Sequence, residues 1–193
     1  MNIGLSLRHS SAGPRPAPAN TYSSFMKHRP FENWLFRLAL AACALQALPS
    51  SAQRIGVTGI SMGATRTWWI MALDERPRTG VAVACLTRYR NLIDHGGLKY
   101  HGIYYYVPGL LNHFDTEAVV ALVAPRPLLF MTGDQDGGSP VDGIHSIEKT
   151  VRPFYGLYGR ESDFVSVIYP GVGHTYLPEE WEKTQQWMDG HLK

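Results

Sequence analysis

Cysteine is scarce. The chain has two cysteines in 193 residues, Cys43 and Cys85. Each lies in an apolar run and neither has a partner at metal-ligand spacing. The reading is two buried free thiols, not a disulfide scaffold. Excess charge is equally scarce: 18 Lys and Arg against 16 Asp and Glu leave a formal +2. That is too little to point to nucleic acid or an anionic membrane surface. No stretch approaches the roughly 18 consecutive apolar residues of a membrane span. His95 and His101 have no third ligand at a fitting distance along the chain, which argues against a metal site. What is left is an ordinary balance for one globular domain, 45% apolar and 18% charged.

The first 30 residues read as an irregular tail, because residues 10–20, SSAGPRPAPAN, are mostly Pro, Ala and Ser. Residues 31–193 read as the domain. Residues 31–48, FENWLFRLALAACALQAL, have helical composition and end at Pro49. One reading is a helix buried against a sheet, in a cytoplasmic protein. The other is a signal peptide in a secreted or periplasmic form, with MKHR from Met26 as its basic start and Ser50-Ser51-Ala52 as a cleavage site.

The strongest signal is residues 54–66, RIGVTGISMGATR. Arg54 to Ile60 reads as a buried strand, and a helix starts near Ala64. Between them Gly59-Ile60-Ser61-Met62-Gly63 forms a G-x-S-x-G turn that lifts the serine hydroxyl above the sheet. Side chains at 59 and 63 are expected to crowd the approach of strand and helix. Further strands are expected at Gly80–Leu86, Leu128–Thr132 and Phe164–Tyr169, with helices between them. Gly80–Leu86, apolar on both faces, suits a parallel sheet covered by helices. A last helix from Pro178 is expected to bury Trp181, Thr184 and Met188.

Three groups follow the ends of strands: Ser61, an aspartate near 136, and His174. Parallel strands bring such positions to one edge. A serine hydroxyl needs a base, a histidine suits that role near neutral pH, and the histidine needs a carboxylate to fix its tautomer. Asp136 is the favoured acid, with Asp134 as the alternative and helix capping near Pro140 as the structural reading of either. The backbone N–H of Met62 is the expected oxyanion donor. Nothing before Arg54 supplies a second. The run Tyr104-Tyr105-Tyr106 is either a substrate wall or core packing.

These residues resemble the C-terminal half of an α/β-hydrolase, most of all the dienelactone hydrolase-like and acetyl xylan esterase-like group. The matching pieces are RIGVTGISMGATR, ALDERP, VACLTRY, APRPLLFMTGDQD and YPGVGHTY, within residues 53–192. The order Ser, Asp, His along the chain is also that of this superfamily. The resemblance implies a three-layer α/β fold with a mostly parallel sheet, without the family's N-terminal strands. It implies Ser61 as nucleophile, Asp136 as acid, His174 as base, a small ester as substrate and no cofactor. The alternatives are a peptidase-like hydrolase and an inactive remnant of the fold. The sheet edge at Arg54–Ile60 is expected to be exposed unless residues 31–48 or a second copy of the chain covers it.

Overall fold

The computed structural model describes residues 54–193. Cys43, the expected helix at 31–48 and the tail lie outside the described residues, as does the side chain of Tyr104. The described chain forms four strands: β1 (Gly56–Ile60), β2 (Thr79–Val83), β3 (Leu128–Gly133) and β4 (Phe164–Tyr169). They pair in the order β1-β2-β3-β4, each parallel to its neighbours. Every residue of β2 and β3 is buried, while β1 and β4 are mostly half-buried or exposed. This is the pattern of two central strands flanked by two outer ones.

Helix α1 (Met62–Leu73) connects β1 to β2. Helices α2 (Tyr89–Asp94) and α3 (Thr116–Ala121) lie between β2 and β3, and α4 (Val141–Gly156) between β3 and β4. Right-handed crossovers that step one strand at a time in one direction put all these helices on one face. The core follows this rule. Trp68 and Met71 of α1, Val119 and Val120 of α3, and Ile144, Ile147 and Val151 of α4 pack with Ala82, Leu128, Phe130 and Phe164 of the strands. Fully burying Trp68 or Ile144 contributes about 2–3 kcal/mol each. Arg126 closes this layer by donating to the carbonyls of Met71, Asp74 and Pro77 at the end of α1.

The opposite strand face, Val81, Val83, Leu129 and Met131, packs against α5 (Pro178–His191) and the segment leading to it, through Tyr176, Trp187 and Met188. Trp187 Nε1 donates to Thr79 Oγ1 at 2.8 Å and ties α5 to β2. Helix α5 departs from the expected buried face at one residue. Thr184 is buried and Met188 half-buried, but Trp181 is 50% exposed, edge-on to Tyr176 at 5.9 Å between ring centroids. The helix turns Trp187 inward in its place.

The segment from Thr87 to Phe114 holds α2 and three short 3-10 turns, Gly97–Tyr100, Ile103–Tyr105 and Leu110–Asn112. Distant groups anchor it. The buried Asp115 carboxylate accepts the N–H of Tyr89 at 2.8 Å and of Arg90 at 3.0 Å, and Arg88 pairs with Glu117. Among the described residues, no helix is long and apolar enough to cross a membrane.

Candidate active site

Ser61 sits between β1 and α1 with φ 57° and ψ −118°. A non-glycine residue there carries strain of about 1–3 kcal/mol. The turn is held on both sides. Ser61 N–H donates to Val83 O at 2.9 Å, and Ser61 O accepts Thr65 N–H at 3.0 Å. The side chain makes no capping hydrogen bond to α1, so the hydroxyl is not spent on the helix. Gly59 is there because a Cβ would lie 2.5 Å from the Gly63 carbonyl carbon. The crowding expected at Gly63 is not found: among the described residues a Cβ there meets nothing within 4 Å. The close approach is therefore one-sided, with the strand residue entering the helix backbone. The next strand end is strained too, since Ala84 after β2 has φ 55°.

Asp136 and His174 meet directly. His174 Nδ1 donates to Asp136 Oδ2 at 2.8 Å. The Asp136 side chain is 3% exposed and that of His174 46%. The other carboxylate oxygen, Oδ1, accepts Gly138 N–H at 2.9 Å. Each oxygen thus has a partner, and the ring is fixed with Nδ1 protonated and Nε2 left for chemistry.

From below, Asp134 holds the loop that carries His174. Its Oδ1 accepts Gly171 N–H at 2.7 Å, while Asp134 N–H donates to Tyr169 O and Gln135 N–H to Val172 O. The two loops are zipped together. β1 and β4 lie three strand spacings apart, about 14 Å, so His174 can approach the Ser61 turn only where the loop after β4 folds back over the sheet. It does cross β3: a Cβ at Gly133 would lie 2.0 Å from Val172 O. Only glycine fits beneath that crossing.

The tyrosine run divides. Tyr105 is 1% exposed and belongs to the core, so as folded it offers a substrate no open face. Tyr106 is half-buried and its hydroxyl donates to Leu98 O at 2.8 Å. The ring of His101 stacks on that of Tyr105, 4.1 Å between centroids, and His101 Nε2 lies 2.9 Å from Gly138 O. His101 therefore belongs to the site's surroundings, a place nothing in its sequence spacing announced. Burial holds it below the ordinary histidine value.

Cys85, after β2, is a buried free thiol as expected, 3.0 Å from Thr65 Oγ1. Burial pushes it up to about 12, so it is no nucleophile at neutral pH. Among the described residues, no three His, Cys, Asp or Glu side chains group as metal ligands do. A cleft of about 590 Å³ opens beside the loop after β3, next to Lys99, Tyr100, Gln135 and Asp142. Ser61 and His174 do not line it, so it is not where a reacting carbonyl would sit.

No protein-family model matches the chain. In sequence, 121 of its residues, 63% of the chain, are 38% identical to the Bacillus subtilis (strain 168) protein named "Putative hydrolase YtaP". The match takes in 40% of that protein. In structure, a promiscuous CE15 esterase from a marine bacterial metagenome aligns at TM-score 0.62 and 16% identity, over 91% of this chain and 54% of that one. A glucuronoyl esterase from Solibacter usitatus aligns at 0.59 and 17%, over 74% and 43%. Methylesterase BT1017 aligns at 0.59 and 19%, over 82% and 34%. The chain thus spans about a third to a half of the length of these relatives. With a parallel β1-β2-β3-β4 sheet, helices on both faces and these neighbours, the chain has the fold of the α/β-hydrolases.

Proposed function

We propose that the chain is a serine hydrolase of carboxylic esters, acting through an acyl-enzyme on Ser61. The observation that carries this reading is the 2.8 Å hydrogen bond from His174 to the buried Asp136, at the same sheet edge as a strained Ser61 turn. The hydrolase and esterase names of the relatives support it. The finer placement, in the dienelactone hydrolase-like and acetyl xylan esterase-like group, rests on the sequence motifs alone.

In this reading Ser61 Oγ attacks the ester carbonyl and His174 Nε2 takes its proton. Asp136 stabilises the imidazolium that results. The charge that develops on the carbonyl oxygen is met by the Met62 N–H. As the first residue of α1, Met62 has no intrahelical acceptor for that N–H, and the positive end of the helix dipole lies there. His174 returns the proton to the departing alcohol. It then takes one from the water that attacks the acyl carbonyl, and as the tetrahedral intermediate collapses it gives that proton to Ser61 Oγ, which breaks the acyl bond and releases the acid. The chemistry draws on protein groups alone and uses no cofactor. Tyr105, buried in the core, touches no substrate in this reading. Tyr104 and Tyr106 are proposed to face the alcohol or acyl group. We also infer that two copies pair through the outer edge of β1.

The test is turnover of short aryl esters and of peptide substrates by the full chain. Esters are hydrolysed with an initial burst, and peptides are not. Ser61→Ala and His174→Ala each lower kcat on the order of 10⁶-fold. Ester turnover equal to wild type in either variant refutes the reading. Peptide cleavage would favour the peptidase-like alternative, and no turnover the inactive remnant.

A further inference from the structure

One histidine near the site has no part in the chemistry above. His101 lies in the irregular segment after α2, 35 residues before Asp136 in the chain, yet its ring reaches the acid loop. We propose that His101 is a positioning residue for the acid: its Nε2–H, donated to the Gly138 carbonyl, holds the 136–138 turn in the shape that presents Asp136 Oδ2 to His174. This rests on the Ser-Asp-His reading and deepens it.

Gly138 is gripped from both sides. Its N–H donates to Asp136 Oδ1 at 2.9 Å, and its C=O faces His101 Nε2 at 2.9 Å. A carboxylate held at Oδ1 cannot rotate freely, so Oδ2 stays aimed at His174 Nδ1, 2.8 Å away. Releasing Gly138 frees that rotation. The grip has little slack, since a Cβ on Gly138 would come to 3.3 Å from both Asp136 Oδ1 and His101 Nε2.

His101 is itself held from behind. Its ring stacks on Tyr105 at 4.1 Å and 22° between planes. Tyr105 is fully buried, and its carbonyl accepts the Tyr89 hydroxyl at 2.7 Å. A rigid line therefore runs from α2 through Tyr89, Tyr105 and His101 to the acid loop. Because the acceptor is a carbonyl, Nε2 must carry the proton. Burial disfavours the charged ring, against the opposing pull of the Gly138 carbonyl and of Asp136, and the nearby His174 disfavours it further. A neutral His101 donates its hydrogen bond without setting a second cation beside the imidazolium that forms on His174.

The test uses the full chain labelled with ¹⁵N. In wild type at neutral pH, His101 is expected as the Nε2–H tautomer. The Nδ1–H tautomer would overturn the inference without any variant. The low-field proton of the His174–Asp136 hydrogen bond, identified by its loss in Asp136→Asn, reports the dyad directly. His101→Phe keeps a ring on Tyr105 but has no donor, and His101→Gln restores a donor. The Phe variant should lose the dyad proton to exchange, and kcat for an aryl ester should fall about 100-fold, the cost of a misplaced catalytic group, with KM little changed. The Gln variant should recover the resonance and most of the rate. An intact dyad proton and rate in the Phe variant overturn the inference, and so does a Gln variant as impaired as Phe. A wild-type protein with neither dyad proton nor turnover would instead refute the Ser-Asp-His reading, and this inference with it.

Discussion

Asp134 and Asp136 stand two positions apart and make different bonds. Asp136 is buried and bonded to His174, whereas Asp134 is half-buried and accepts the N–H of Gly171 in the base loop. Asp136→Asn should therefore lower kcat about 10⁴-fold by giving His174 the wrong tautomer. Asp134→Asn should cost about 1 kcal/mol of stability through one weakened charge-assisted hydrogen bond, with a far smaller loss of rate. Denaturant unfolding beside ester kinetics separates the two, and equal rate losses would contradict the division of roles. The sequence favoured Asp136 because it lies deeper in the loop and precedes the glycines. Asp134's task was not legible, since its partner lies 37 residues away and is a backbone N–H. The contact of His101 with Gly138 was hidden in the same way, 37 residues away along the chain. Ser61 was the most legible residue, because its strain is written into a five-residue turn.

At the scale of elements, β4 was read at its observed bounds, and the other strands within a few residues. Their apolar runs are short and bounded by Gly, Pro and charged residues, so local composition decides them. The helix after Ser61 begins two residues earlier than its apolar face suggested, at Met62. Helix α2 and the three 3-10 turns were not foreseen. The cap on α2 is the side chain of Asp115, some 25 residues downstream, and no local signal encodes it. Trp181 was misassigned because either aromatic of α5 gives a plausible buried stripe, and only packing on β2 selects Trp187. β1 carries a consequence for assembly. Among the described residues it pairs with β2 alone, and Thr58 and Ile60 are exposed. A strand edge with no neighbour among the described residues invites a second strand. The proposed pairing predicts a dimer in size-exclusion chromatography that Thr58→Pro disrupts, because proline removes a ladder donor. A clean monomer across concentrations would contradict it.

For the whole molecule, one sheet edge gathers the chemistry. Four parallel strands send the segments after β1, β3 and β4 to the same end, and each carries one member of the proposed triad. The two buried faces make that edge firm, with α1, α3 and α4 on one side and α5 on the other. The order of motifs along the chain made this architecture legible, because parallel strands fix which end each loop leaves from. The crossing of the base loop over Gly133 was not legible, since it depends on the three-dimensional path of a five-residue loop. The central claim is that Ser61 is activated. The most direct measurement is reaction of the folded full chain with a fluorophosphonate, with the adduct located by mass spectrometry, beside Ser61→Ala and His174→Ala. The account predicts a single adduct on Ser61 that is absent from both variants. A folded protein that takes up no probe, or labelling of Ser61 that persists in His174→Ala, would contradict it.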